Sequence, residues 1–325
     1  TPIYYVNAAP HLGTAYTTIA ADAVARYQRM NGYDVAFVTG MDEHGQKVAD
    51  TAASKGMTPQ EWCDSMEPAF RDAWKMLDIT YTDFVRTTEP RHAESVKKFW
   101  NDLYEKGYLY KGSYEGWYCV HEETYYAESD LEKNDDGEFV CPDCKRPVQK
   151  AGGEENWFFK LSEFAEPLLK FYEENPDFIR PVTRKNEIVS FVKSGLKDLS
   201  ISRSTFDWGV PLSFDQGHVA YVWADALLAY LTGIGYGQDD TRPGEFEARW
   251  PMQYHFVGKD ITRFHCVIWP AMLMAAGMPI THTVFGHGFL MVGGEKMSKS
   301  KGNGIKPADL VAIYGVDAYR YYFLS

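Results

Sequence analysis

Apolar and polar positions alternate between two kinds of pattern along this chain, and the change marks its domains. Ile3 to Val6 is a short apolar run closed by the turn residues Asn7-Ala8-Ala9-Pro10, which predicts a strand. An Ala-rich stretch from His11 to Met30 predicts a helix, with Asn31-Gly32 as its stop. Val35 to Val38 predicts a second strand, ending at Thr39-Gly40. Strand, helix, strand is the unit of a parallel sheet with helices on its faces. His11 then falls where a strand's carboxyl end meets a helix's amino end, the place where such sheets bind ligands.

From about Gly107 the character changes. Tyr108 to Tyr126 is dense in aromatics, Asp130 to Asp143 is acidic and turn-rich, and Gly152-Gly153-Glu154-Glu155 follows. This reads as an insertion of strands and loops that ends near Trp208-Gly209. Apolar helix and strand patterns then return at Ala220 to Leu231, Gln253 to Val257, Ile261 to Ala275 and Thr281 to Val284. The expectation is an α/β fold: a Rossmann-type, doubly wound parallel sheet split by an inserted connective domain. Its first half covers 1–106, the insertion 107–208 and its second half 209–285. A last piece, 286–325, carries a lysine-rich loop. The chain opens within a strand pattern without an initiating Met and ends in an amphipathic helical pattern, so a longer protein is expected.

Composition narrows the class. The 325 residues carry a formal net charge of −12, with 45% hydrophobic and 24% charged residues, an ordinary balance for a soluble enzyme. No apolar run reaches about 18 residues, which excludes a membrane-spanning helix, and no secretory pattern opens the chain. Five cysteines in a protein with ample core read as reduced thiols and candidate metal ligands, which favours the cytoplasm or an organelle matrix over secretion. The acidic balance argues against nonspecific nucleic-acid coating. It does not exclude a grip on nucleic acid through a local basic patch, and one basic stretch runs from Arg180 to Arg203. It holds Arg184, Lys185, Lys193 and Lys197 between those two arginines.

Two short motifs carry the chemistry. In His11-Leu12-Gly13-Thr14, a histidine at a helix amino terminus can donate to a phosphate already favoured by the backbone N–H groups there. Gly13 removes a side chain where adenine approaches the backbone. Taken alone this is equally a helix cap with an incidental histidine. Lys296-Met297-Ser298-Lys299-Ser300, after Gly293-Gly294, is a basic loop whose lysines can neutralise a leaving pyrophosphate. Trp223, Ala226, Leu227 and Tyr230 share one helical face, and Ile261, Phe264, His265 and Ile268 repeat that spacing. Periodicity alone also fits two core stripes packing together. Cys141-Pro142-Asp143-Cys144 has metal-knuckle spacing, with Cys119 upstream. A knuckle that folds without metal remains open, and a redox pair is disfavoured by the acidic loop and the missing strand-to-helix pattern.

The two motifs, together with Gly40-Met41-Asp42-Glu43-His44-Gly45, Tyr221-Val222-Trp223-Ala224-Asp225-Ala226 and His255-Phe256-Val257-Gly258-Lys259-Asp260, resemble the methionyl-tRNA synthetases of class I. The resemblance covers essentially the whole chain. It implies ATP-dependent activation of L-methionine and transfer to tRNA(Met), with Mg²⁺ on the phosphates. It also implies that Ile3, Tyr5, Trp223, Ala226, Tyr230, Ile261 and His265 surround the methionine side chain, and that Asp42 holds the ammonium. Tyr230 and His265 are expected to donate weakly to the sulfur. Gly258 and Asp260 are expected at the ATP ribose, with His11, Gly13 and Lys299 also on ATP. His11, Thr14, Lys296 and Lys299 are the catalytic set. The family's first motif usually ends in His where Thr14 stands, and a hydroxyl donates without positive charge. Zinc-binding members place C-x-x-C at Cys119, whereas here Glu122 takes the second position. Cys119, Cys141 and Cys144 with His121 or Glu122 would then complete a zinc site. The anticodon-binding domain that the family places after this point is absent from the sequence. The alternatives are another class I synthetase for an aliphatic amino acid, a small nucleotidylyltransferase, or a catalytically silent tRNA-binding relative.

Overall fold

Strand Tyr4–Tyr5 pairs in parallel with Val38–Asp42, which pairs in parallel with Asp83–Arg86 on its other side. The register puts Tyr5 opposite Asp42. This is a computed structural model; it describes residues 1–325 except 121–123, 127, 135, 293–294 and 297–305. For 114, 115, 124, 125, 129, 151–153, 291, 292, 295 and 296 it describes the backbone alone.

The helix Leu12–Met30 returns the chain between the first two strands and stops at Asn31, with Gly32 in the left-handed region at φ +85°. The second strand runs Val38–Asp42 rather than Val35–Val38. Phe37 is buried, but its backbone bonds with the Thr82 side chain, its N–H donating to Thr82 Oγ1 at 2.7 Å, so the ladder starts one residue later. All five strand residues are buried although Thr39, Gly40 and Asp42 read as polar or breaking. Pairing on both edges decides a central strand, not hydropathy. Gly40 is required there: a Cβ would stand 1.9 Å from the Val85 carbonyl oxygen.

The second parallel sheet has the order Tyr254–Gly258, Thr283–His287, Ile179–Arg180. Its last strand comes from within 107–208, so that region is not strands and loops alone. It opens with a long antiparallel pair, Leu109–Cys119 against Gln149–Phe159, and continues into helices Ala165–Glu174 and Val182–Lys193. The helices bury Leu168, Tyr172, Ile188 and Val192 in the same core as the second sheet, and the aromatic, acidic segment before them masks that pattern.

The stretch 220–231 is two short helices, Val222–Ala226 and Ala229–Thr232, separated at Leu227-Leu228. The stretch from Ile261 to Ala275 is likewise divided into a 3₁₀ turn at Lys259–Ile261, a π-helical turn at Phe264–Ile268 and an α-helix at Trp269–Ala276. The terminal helix Val316–Leu324 packs Tyr319 and Phe323 into the core of the first half, and Arg320 pairs with the buried Asp22 at 2.5 Å. Among the described residues no helix is long and apolar enough to cross a membrane.

Candidate active site

His11 is the N-cap of the helix Leu12–Met30, and its Nδ1 accepts from the Gly13 N–H at 3.0 Å. That leaves Nε2 as the nitrogen bearing the proton in a neutral ring. A Cβ on Gly13 would come within 2.9 Å of the His11 ring, so the glycine makes room for the cap itself. Thr14 completes a reciprocal cap: its Oγ1 accepts from the His11 N–H at 2.9 Å and donates to the His11 carbonyl at 2.7 Å. The hydroxyl is engaged with the backbone of the cap in this arrangement, so donation to a phosphate would compete with that bond. Thr14 also shapes the turn.

One turn further along, Thr17 Oγ1 meets His287 Nε2 at 2.6 Å. His287 ends the strand Thr283–His287, and the chain then enters the hairpin Met291–Val292 with Glu295–Lys296. The start of the helix is thus tied to the strand that leads to the lysine-rich loop. Lys296 is placed by its backbone; Lys299 lies outside the described residues. Gly258 and Asp260 stand beside His287: a Cβ on Gly258 would lie 2.4 Å from Asp260 Oδ1 and 3.9 Å from the His287 ring.

Asp42 ends its strand in a buried position, and its Oδ1 has no hydrogen-bond partner among the described residues. Burial pushes its carboxyl well above the usual carboxylate range, and the charges of Asp225 and Glu43 add to this, with Lys47 acting against them. A cation docking here would relieve all three. The aromatic residues expected around the methionine side chain cluster with one another. Trp223 stacks on Phe264 with centroids 3.7 Å apart, and its buried Nε1 has no partner among the described residues. Ala226 and Tyr230 are buried on the same short helices, and Tyr5, Trp223 and Ile261 pack half-buried against their core. Ile3 packs with Ala229 in a smaller cluster.

The Tyr230 hydroxyl and His265 Nε2 are 2.6 Å apart, and His265 Nδ1 is 3.0 Å from the Ile261 carbonyl oxygen. Burial lowers His265 to about 4, so the ring is neutral at physiological pH. Nδ1–H must donate to the carbonyl, and Tyr230 must donate to Nε2. Both hydrogens are engaged within the protein in this arrangement, so donation to the sulfur would compete with these bonds. The pair is internally satisfied.

A group the sequence reading did not single out joins the two sides. Asp225, fully buried, accepts from His44 Nδ1 at 2.6 Å and from His92 Nε2 at 2.7 Å. His92 Nδ1 meets Thr232 Oγ1 at 3.0 Å. Burial raises the Asp225 carboxyl, and the two imidazoles outweigh it and hold it at about 2. His44 also lies edge-on to Trp208, whose Nε1 donates to the Glu43 carbonyl at 2.6 Å. His44 and Asp225 sit inside the quoted motifs; His92 lies on the helix Pro90–Glu105 between Arg91 and Ala93 and carries no local signal.

Elsewhere, the Sγ atoms of Cys119, Cys141 and Cys144 lie within 4.8 Å of one another, with Cys119 and Cys144 at 3.6 Å. Tetrahedral zinc with sulfur ligands at ~2.3 Å sets neighbouring sulfurs about 3.8 Å apart, so the three thiols fit that ion. His121 and Glu122 lie outside the described residues. The basic stretch is largely answered locally: Arg180 pairs with Asp177, Arg184 with Glu187, and the buried Arg203 with Glu154. Lys185 donates to the Tyr172 carbonyl. It is a weaker patch than the sequence indicates.

Comparison with known proteins places this geometry. The model of the family "tRNA synthetases class I (M)" matches residues 1–325. The chain is 53% identical over 324 residues to the methionine–tRNA ligase of Caldanaerobacter subterraneus subsp. tengcongensis, covering 100% of this chain and 50% of that protein. It is 54% identical over 328 residues to the Streptomyces coelicolor enzyme of the same name, covering 60% of it. It superposes with a TM-score of 0.93, at 44% identity, on Mycobacterium tuberculosis methionyl-tRNA synthetase bound by methionyl-adenylate, covering 64% of that chain. The chain spans about half the length of the first of these relatives.

Proposed function

We propose, for a chain that belongs to the class I methionyl-tRNA synthetase family, that it activates L-methionine with ATP and passes the methionyl group to tRNA(Met). The observation that carries this reading is Asp42: a buried acidic side chain whose Oδ1 has no partner among the described residues, within electrostatic reach of Asp225, which lies on the same short helix as Trp223. A buried acceptor without a donor is costly unless a ligand supplies one. An α-ammonium does so by a charge-assisted bond, and a polarizable thioether suits aromatic neighbours, each contact contributing about 0.3–1.5 kcal/mol.

In this reading the methionine carboxylate attacks the α-phosphorus of ATP. The P–O bond to pyrophosphate breaks as the new one forms, and its electron pair leaves with pyrophosphate. A carboxylate is ionised at neutral pH, so no general base is required. His11 at the helix amino terminus steadies the phosphates, Asp260 accepts from the ribose hydroxyls, and Lys296 and Lys299 meet the charge growing on pyrophosphate. Mg²⁺ arrives with ATP and screens phosphate charge. The terminal ribose hydroxyl of the tRNA then displaces AMP from the adenylate. Cys119, Cys141 and Cys144 would hold zinc as a structural ion at the tip of the insertion, away from this chemistry.

The test is ATP–pyrophosphate exchange with a panel of amino acids, zinc being quantified on the same preparation. Methionine alone should support rapid exchange. Comparable rates with leucine, isoleucine, valine or cysteine would favour another class I specificity, and no exchange at all would favour a silent relative.

A further inference from the structure

We infer that His92, which belongs to neither motif, is a positioning residue for methionine, acting through Asp225 and His44. The inference rests on the proposed role of Asp42. The ammonium acceptor and the thioether wall belong to opposite halves of the split fold: Asp42 ends a strand of the first sheet, and Trp223 and Ala226 lie on the short helix after the insertion. Their separation has to be fixed by something other than chain connectivity.

The Asp225 carboxylate supplies that link. One oxygen takes the Nδ1–H of His44, two residues after Asp42; the other takes the Nε2–H of His92. A carboxylate only accepts, so both histidines donate and the geometry is locked at 2.6 and 2.7 Å. His92 sits on helix Pro90–Glu105, and the same helix holds the Trp223 segment a second time, Trp100 Nε1 donating to the Ala224 carbonyl at 2.8 Å. Thr232 closes the chain on the far side of His92 at 3.0 Å. All four side chains are buried. Such a network has one low-energy arrangement, because leaving any member unpaired costs the full desolvation of that group.

Loss of the His92 donor should therefore let the segments bearing Asp42 and Trp223 drift apart, while the ATP-facing residues His11, Gly258 and Asp260 keep their own supports. In the full-length protein, His92→Phe should raise the methionine KM by about tenfold or more, with the ATP KM changed less than about threefold, since small displacements of a positioning group carry large penalties. His92→Gln, whose amide can still donate to Asp225, should return methionine KM toward wild type. Thr232→Val, a milder break at the end of the chain, should give a smaller rise of the same kind and decides the matter if His92→Phe does not fold.

A folded His92→Phe with wild-type methionine KM, or with the two KM values raised equally, overturns the inference, as does failure of His92→Gln to restore it. If His92→Phe does not fold, an unchanged methionine KM in Thr232→Val overturns it. A wild-type protein without methionine-dependent exchange overturns the reading of the site as well, so the two failures are distinguishable.

Discussion

The Tyr230 hydroxyl donates to His265 Nε2 at 2.6 Å while His265 Nδ1 donates to the Ile261 carbonyl at 3.0 Å, from the start of the π-helical turn back to the end of the 3₁₀ turn before it. The pair is satisfied without a ligand, so its contribution to the pocket is shape and polarizability. Tyr230→Phe leaves a buried Nε2 without a donor and should cost about 1–3 kcal/mol of stability. Methionine KM in pyrophosphate exchange should change only a few-fold. A loss of a hundredfold in methionine affinity would mean that the hydroxyl serves the substrate directly.

The same ring governs a pH effect. Burial lowers His265 to about 4, below the ordinary 6.5, and His255 is lowered too, by burial and then by its neighbour His265. Between these values the unfolded chain takes up a proton that the folded one refuses, so stability is complete above about pH 6.5 and falls as pH drops toward 4. His265 alone accounts for on the order of 3 kcal/mol over that window. Urea midpoints between pH 7.5 and 5 check this: the fall should be shallower in His265→Phe, and an equal slope in both proteins would contradict it.

Asp42 works in the opposite direction. Its carboxyl is raised by burial and by Asp225 and Glu43, so the folded chain holds that proton to higher pH than the unfolded one. Its ionisation therefore opposes folding as pH rises above the ordinary carboxylate value. Asp42→Asn should stabilise the ligand-free protein at neutral pH by about 1–3 kcal/mol and weaken methionine binding by about 100-fold or more. Thermal midpoints and calorimetric titration with methionine measure both, and a variant that gains stability yet still binds methionine tightly would dissociate Asp42 from the ammonium.

Lys299 tests the other end of the site. If it meets charge that appears only as pyrophosphate leaves, Lys299→Ala should lower turnover by about 100-fold and leave methionine affinity nearly unchanged. Equilibrium binding beside exchange kinetics separates the two, and a large loss of methionine binding would remove the assigned role.

How much was legible beforehand follows the range of each interaction. His11 as a cap, the stop at Asn31-Gly32 and the metal-knuckle spacing are local, and residues a few positions apart reveal them. The strand Val38–Asp42 was placed early because its later residues are buried by pairing on both edges, which hydropathy does not report. Helices Ala165–Glu174 and Val182–Lys193 were hidden behind an aromatic and acidic prelude. His92 was invisible: its partner Asp225 stands 133 positions away, and nothing near His92 distinguishes a network member from a core histidine. The partner of the Thr14 hydroxyl was open, because its direction depends on the cap it closes.

The knuckle gives the last prediction. Cys119 and Cys144 face each other at 3.6 Å with Cys141 alongside, and these thiols close the outer end of the Leu109–Cys119 and Gln149–Phe159 hairpin. Burial and neighbouring sulfurs raise the Cys144 thiol to about 12, an arrangement that favours protonated thiols until a cation is present. Zinc reverses that preference, since its ligands are thiolates. Protein purified without chelator should hold about one zinc per chain. Cys141→Ser should lose it, and of His121→Ala and Glu122→Ala the one that also loses it identifies the fourth ligand. Because the hairpin tip is distant in sequence from the strand carrying Asp42, removal of the ion should raise hydrogen exchange in Leu109–Cys119 and leave Val38–Asp42 protected. Metal-free protein with an unchanged, fully protected hairpin would instead establish a knuckle that folds on its own side-chain packing.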